Sequence, residues 1–176
     1  GDGPVTAADM AVNELLISGL TNNIAYKGWD ILSEETSKNQ SHQVSHFNKD
    51  WCWILDPLDG TKDFLQGSKN YAVHIALAYK QKPKIGLVLI PEENELWFGI
   101  VGSGAWCENR NGHKKQISFS ERRDLSELIL VSSKNHQQSK LRKLISSLSF
   151  SATKKIGSVG CKIASILRGE ADVYIS

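Results

Sequence analysis

Cysteine is scarce. Three residues, Cys52, Cys107 and Cys161, stand far apart among 176, and no C-x-x-C pair occurs. An odd, scattered set excludes a disulfide framework and a structural zinc site, so reduced thiols in a cytoplasmic protein are expected. Long apolar runs are missing too: 85–90 is about as long as they get, against the roughly 18 residues of a membrane span. No charged-then-apolar leader is read at the start, which is Gly1 rather than a Met. Nor does one sign of charge dominate. Twenty-one basic residues face 19 acidic ones, a net of +2, which argues against a nucleic-acid or membrane partner. The densest basic stretch, 110–115, is interrupted by Asn111, Gly112 and His113 and reads as a solvated turn. Repeats and linkers are absent.

What remains is ordinary globular composition, 40% hydrophobic, 23% charged and 8% aromatic, enough for one domain or two packed subdomains. A chain of this size buries roughly 70% of its unfolded surface without staples. Thr6 caps a helix over 6–20, with Met10, Val12, Leu15, Leu16 and Leu20 as its apolar stripe. A short strand over 29–32 runs into Glu34-Glu35. The polar stretch 37–50 reads as a loop whose His42 and His46 are surface histidines. An all-apolar strand, 51–55, is closed by Asp56-Pro57. Strands at 71–79, 85–90 and 96–101, joined by short turns, predict an antiparallel meander. Turns follow around Gly102 and Gly112. The last third reads as a strand (128–132), a helix (139–148), a helix opened by 157–160 and running to Leu167, and a strand (171–175), in strand–helix alternation.

The chemistry concentrates in Asp56-Pro57-Leu58-Asp59-Gly60-Thr61-Lys62-Asp63-Phe64. Two carboxylates three residues apart at the end of a buried strand suit a hard cation such as Mg²⁺, which wants oxygen ligands. Pro57 holds the backbone extended and turns the Leu58 carbonyl toward the same ion. The Gly60 and Thr61 N–H groups, at a helix start, suit a phosphate oxyanion. The plain alternative is turn punctuation, since Asp-Pro and Asp-Gly favour turns. The Asp-x-Asp spacing of aspartyl-phosphate phosphatases is not preserved. Glu34, after the first strand, can bring a carboxylate beside Asp56; Asp9, near a helix start, otherwise simply complements the helix dipole. His74 reads as a packed histidine and His136 as a loop residue. Ser158 and Lys162 are either substrate contacts or a helix cap with a surface lysine.

Val5-Thr6-Ala7-Ala8-Asp9, Ser33-Glu34-Glu35, Trp53 through Thr61, Ile156 through Gly160 and Gly169 through Tyr174 together resemble the inositol monophosphatase superfamily of lithium-sensitive, Mg²⁺-dependent phosphatases. Lys62 followed by an acid and Phe64, with Gly160-Cys161-Lys162, is similar to its 3′(2′),5′-bisphosphate nucleotidase branch, the CysQ type. The resemblance implies an α/β fold, a layered αβαβα sandwich, with an N-terminal α+β subdomain (1–119) and the start of an α/β subdomain (120–176). It implies Glu34, Asp56, the Leu58 carbonyl and Asp59 as ligands of two or three Mg²⁺ ions, with Li⁺ inhibitory. Asp9 and Thr61 would orient and deprotonate the attacking water. Glu34, Asp59, Gly60, Thr61, Lys62, Ser158 and Lys162 would contact substrate. Members carry a further Trp-Asp motif and an earlier N-terminal helix, so the chain is expected to be a fragment of a longer phosphatase. The implied reaction removes the 3′-phosphate of adenosine 3′,5′-bisphosphate, and a homodimer is allowed. An inositol or sugar phosphate phosphatase and a non-catalytic metal- or nucleotide-binding fragment are the alternatives.

Overall fold

The computed structural model describes residues 6–22, 28–38, 48–117, 119–134 and 139–175. His42, His46 and His136 lie outside the described residues. Helix α1 (Ala7–Thr21) starts at a capping box: Asp9 N–H donates to the Thr6 hydroxyl at 3.3 Å, and Thr6 N–H donates to the Asp9 carboxylate at 2.9 Å. The expected apolar stripe faces inward only in part: Val12, Leu16 and Leu20 are half-buried, while Met10 is exposed. Leu15 is 69% exposed, and the buried positions of α1 are the polar Asp9 and Asn13. Hydrogen bonds from Ser33 to Asn13 and from Thr61 to Asp9 tie the helix to its neighbours.

Strand β1 (Asp30–Ser33) pairs in parallel with β2 (Trp51–Asp59). Ser33 Oγ donates to Asn13 Oδ1 at 2.6 Å, tying β1 to α1 inside the protein. Helix α2 (Glu34–Lys38) follows β1 without a break. Strand β2 does not close at Asp56-Pro57 as the sequence suggested; it continues to Asp59. Its pairing with β3 (Ala72–Tyr79) shifts register between Asp56 and Asp59. Such an irregularity is where a proline, lacking an N–H, fits within a sheet.

From β3 onward the large sheet is antiparallel, through β4 (Lys82–Ile90), β5 (Glu95–Ile100), β6 (Gly104–Asn109) and β7 (Lys114–Gln116), in the order β1 to β7. The meander is therefore longer than expected. The turns around Gly102 and Gly112 stand, and between and after them lie two strands the sequence did not announce: Trp106-Cys107-Glu108 lacks a two-residue alternation, and β7 is three polar residues at the sheet's edge.

A second sheet is wholly parallel, ordered β10–β8–β9, with β8 at Ile129–Ser133, β9 at Ala152–Ile156 and β10 at Val173–Ile175. Helices α4 (Ser139–Ser147) and α5 (Val159–Leu167) connect these strands, matching the predicted alternation. Helix α5 is the seam of this mixed α/β sandwich, touching β3 and β4 of the large sheet and all three strands of the small one. Ala72, Ile90 and Trp97 pack there against Cys161 and Ala164. Gly160 permits that approach, since a Cβ on it would collide with His74 Nε2 and lie 2.7 Å from Ala72 Cβ. At the far end of α5, Arg168 Nε donates to Glu95 at 2.9 Å and its guanidinium lies over the Trp97 ring. A latch closes the small sheet: Arg122 Nη1 donates to both oxygens of Asp172 at 2.9 Å, and Ile129 N–H donates to the same carboxylate at 2.7 Å. All three cysteines are free thiols. Among the described residues no helix is long and apolar enough to cross a membrane.

Candidate active site

The site is assembled where β1, β2 and α1 end or begin together. Parallel pairing sets Ser33 beside Leu55, so the next residues along, Glu34 and Asp56, emerge side by side. Burial, and then the neighbouring Glu34 charge, push the Asp56 carboxyl up to about 7, with His74 opposing and Asp59 adding to the rise. Asp56 Oδ1 is buried with no hydrogen-bond partner among the described residues. A buried acceptor left unmade beside a second carboxylate is costly, and a bound cation would remove that cost.

Asp59 is treated differently by its surroundings. Its Oδ2 accepts from Ser158 Oγ at 2.5 Å and from Gly160 N–H at 2.8 Å. His74 Nε2 approaches the same oxygen at 3.3 Å without the alignment of a hydrogen bond, while Nδ1 lies 3.8 Å from Asp56 Oδ2. Burial would raise Asp59, but His74, Ser158 and the Gly160 N–H together hold it below the ordinary carboxylate range. For His74 burial alone would lower the value; the two aspartates outweigh it and raise it.

Asp9 and Thr61, far apart in sequence, meet. Thr61 Oγ1 lies 3.3 Å from Asp9 Oδ1 and 3.0 Å from the Leu58 carbonyl. Asp9 is only 2% exposed and its other oxygen is held by Thr6. Gly60, with φ +92°, caps the short helix α3 (Thr61–Leu65), and a Cβ there would lie 2.7 Å from the Asn70 carbonyl. Only glycine combines that backbone with that contact. Asp63 in α3 is buried and its Oδ1 accepts from Lys134 Nζ at 3.0 Å, joining this turn to the end of β8.

Two expected substrate residues have other partners. Ser158 is fully buried; its hydroxyl caps α5 by accepting from Cys161 N–H at 3.1 Å and donates to Asp59. Lys162 is not a surface lysine. It is 1% exposed, with Nζ donating to Ser133 Oγ at 2.9 Å and the Gly157 carbonyl at 3.2 Å, and lies 4.9 Å from the Tyr174 ring centre. Lys62 is exposed, beside Thr61. His74 is the site residue that sequence reasoning missed. Its apolar, small-residue surroundings concealed it; the signal available was its position opposite β2, which only the hairpin register reveals.

Two adjacent carboxylates, Glu34 and Asp56, with the Leu58 carbonyl and Asp59, are the oxygen groups that could hold a divalent cation. Among the described residues no three His, Cys, Asp or Glu side chains close into a cage of their own. A hard cation takes oxygen ligands and usually keeps waters as well, and the orphaned Asp56 oxygen suits one.

All 176 residues match the inositol monophosphatase family. The 3′(2′),5′-bisphosphate nucleotidase CysQ of Salmonella typhimurium is 33% identical over 176 residues, which are 98% of this chain and 66% of that protein. Bovine (Bos taurus) inositol monophosphatase 1 is 27% identical, covering 97% of this chain and 61% of the bovine one. The solved IMPase of Thermotoga maritima superposes with a TM-score of 0.79 at 25% identity, covering 97% of this chain and 61% of that one. The chain thus spans slightly less than two thirds of the length of these relatives.

Proposed function

From its membership of the inositol monophosphatase family, to which the chain belongs over all 176 residues, we propose that it is a divalent-metal-dependent phosphomonoesterase acting on a 3′-phosphorylated nucleotide. The observation that carries the reading is the Asp9–Thr61 contact set against the Glu34–Asp56 carboxylate pair. One element supports each half of a hydrolysis, a proton acceptor and a cation site.

Glu34, Asp56, the Leu58 carbonyl and Asp59 are the groups that would hold Mg²⁺. When bound, such an ion lowers the pKa of water and neutralises charge on phosphoryl oxygens. The remaining work falls to the chain's own residues. Thr61 Oγ1 orients the attacking water, and the Asp9 carboxylate, rigidly held by its capping box, draws the proton through that hydroxyl. The Gly60 and Thr61 N–H groups receive the phosphoryl oxygens, and the exposed Lys62 offers a cation to a second phosphate. Water adds at phosphorus as the 3′-oxygen leaves and takes up a proton from solvent, so adenosine 3′,5′-bisphosphate gives AMP and inorganic phosphate. The CysQ likeness favours this substrate; the bovine likeness supports inositol 1-phosphate as the rival.

The test is phosphate release with Mg²⁺, offering adenosine 3′,5′-bisphosphate and inositol 1-phosphate in parallel, with and without Li⁺. Faster Li⁺-sensitive release from the nucleotide is expected. Preference for inositol 1-phosphate would overturn the substrate assignment. Binding of metal and nucleotide without release would turn the reading to a non-catalytic binding protein.

A further inference from the structure

The two aspartates of the site share a neighbour that the proposed reaction does not use. Antiparallel pairing sets His74 directly across from Asp56, and the register shift after Asp56 brings Asp59 back to the same ring. Nδ1 then lies 3.8 Å from Asp56 Oδ2 and Nε2 3.3 Å from Asp59 Oδ2. The ring cannot swing away toward α5, because the Gly160 backbone packs on Nε2 closely enough to exclude a Cβ. Nε2 is buried and has no aligned hydrogen-bond partner among the described residues.

The contacts are one-sided. Ser158 Oγ and Gly160 N–H also converge on Asp59 Oδ2, and Oδ1 receives none of them. On Asp56 the oxygen near the imidazole is Oδ2, and Oδ1 is the buried atom left without a partner. One oxygen of each carboxylate is therefore turned to the protein and the other is left for a ligand. We infer that His74 is a positioning residue of the cation site, its imidazole wedged between Asp56 and Asp59 so that each presents a single, fixed oxygen. The inference rests on reading these aspartates as cation ligands. His74 Nε2 is turned away from a ligand role, since it lies 3.3 Å from Asp59 Oδ2 and is packed on by the Gly160 backbone. Losing a partner that orients a ligand side chain from behind typically costs about 10–100-fold in metal affinity.

The test is calorimetric titration of Mn²⁺ into the metal-free protein and three variants, with thermal unfolding in chelator run alongside. His74→Phe keeps the ring's volume and removes both nitrogens; His74→Ala removes the wedge; His74→Gln restores an N–H near the position of Nε2. The Phe and Ala variants are expected to bind about 10–100-fold more weakly, and Gln to recover most of the affinity. A purely structural role would lower the melting temperature in chelator and leave the affinity of the folded protein unchanged. Phe binding Mn²⁺ as tightly as the parent overturns the inference alone. No Mn²⁺ binding by the parent overturns the cation site itself, and the inference with it.

Discussion

Thr61 Oγ1 sits 3.3 Å from Asp9 Oδ1 across 52 positions of sequence. The pairing is prepared from both sides. Asp9 is fixed by the capping box of α1, and Thr61 by the left-handed turn at Gly60 and its contact with the Leu58 carbonyl. The Asp9 carboxylate is thus oriented by the same hydrogen bonds that start a helix, so local folding sets the geometry of this pair.

Thr61→Ala removes the hydroxyl from this pair and leaves both helix starts intact. Removal of one preorganised group typically lowers turnover about 10²–10³-fold. That loss in phosphate release is expected, with little change in melting temperature, while Thr61→Ser should retain much of the rate. Near-full activity of Thr61→Ala would remove Thr61 from the mechanism.

Gly60 and Gly67 separate backbone strain from crowding. Both have positive φ, +92° and +68°, but a Cβ on Gly67 meets nothing within 4 Å, whereas one on Gly60 meets the Asn70 carbonyl at 2.7 Å and Ser158 Cβ at 3.1 Å. Gly67→Ala should cost about 1–2 kcal/mol from left-handed backbone alone. Gly60→Ala should cost clearly more, and should also displace Ser158 from Asp59. Urea midpoints of the two variants compare them directly; equal costs would mean the Gly60 turn relaxes freely.

Most of this architecture was legible in the sequence where periodicity and punctuation agree: the capped start of α1, the meander of β3 to β5, and the strand–helix alternation of the last third. The acidic string was legible because Asp, Gly and Thr at these spacings have few uses together. Three things were not. The two fully buried positions of α1 are polar because Asp9 and Asn13 serve long-range partners, which no stripe of leucines reveals. Strand β2 runs on through Pro57 because a register shift removes the need for its N–H, a tertiary circumstance. The cap role of Ser158 was legible, but its bond to Asp59 and the places of His74 and Lys162 come from α5 docking between two sheets, and a residue's neighbours across such a seam are not encoded in its local spacing.

Asp172 should make the small sheet acid-sensitive. Burial would raise its carboxyl, but hydrogen bonds from Ser120, the Ile129 N–H and Arg122 hold it below the ordinary value of 3.8. A carboxylate depressed in the folded state contributes stability that is present above the unfolded pKa and lost as pH falls through the folded one. Acid unfolding followed by far-ultraviolet circular dichroism should therefore show a component below pH 3.8 that Asp172→Asn removes. The variant should also be less stable at neutral pH, because Arg122 and Ile129 lose a charged acceptor. Identical acid profiles for parent and variant would show that the latch does not couple to folding.

Asp56 acts in the opposite direction. Its carboxyl is raised from 3.8 to about 7, first by burial and then by Glu34, so between these values the folded state holds a proton that the unfolded state has released. Stability of the metal-free protein should fall as pH rises through that window and level off above about 7. On the proposed cation site, an ion seated between Glu34 and Asp56 would reverse the effect, because it binds the ionised form, and metal and proton compete for the same oxygens. Melting temperatures in chelator and in Mg²⁺, taken at pH 5 and pH 8, should differ more at pH 8. Asp56→Asn should raise the melting temperature in chelator at pH 8 and abolish the gain from Mg²⁺. A Mg²⁺ gain that is the same at both pH values, or that survives in Asp56→Asn, would place the cation somewhere other than this carboxylate pair.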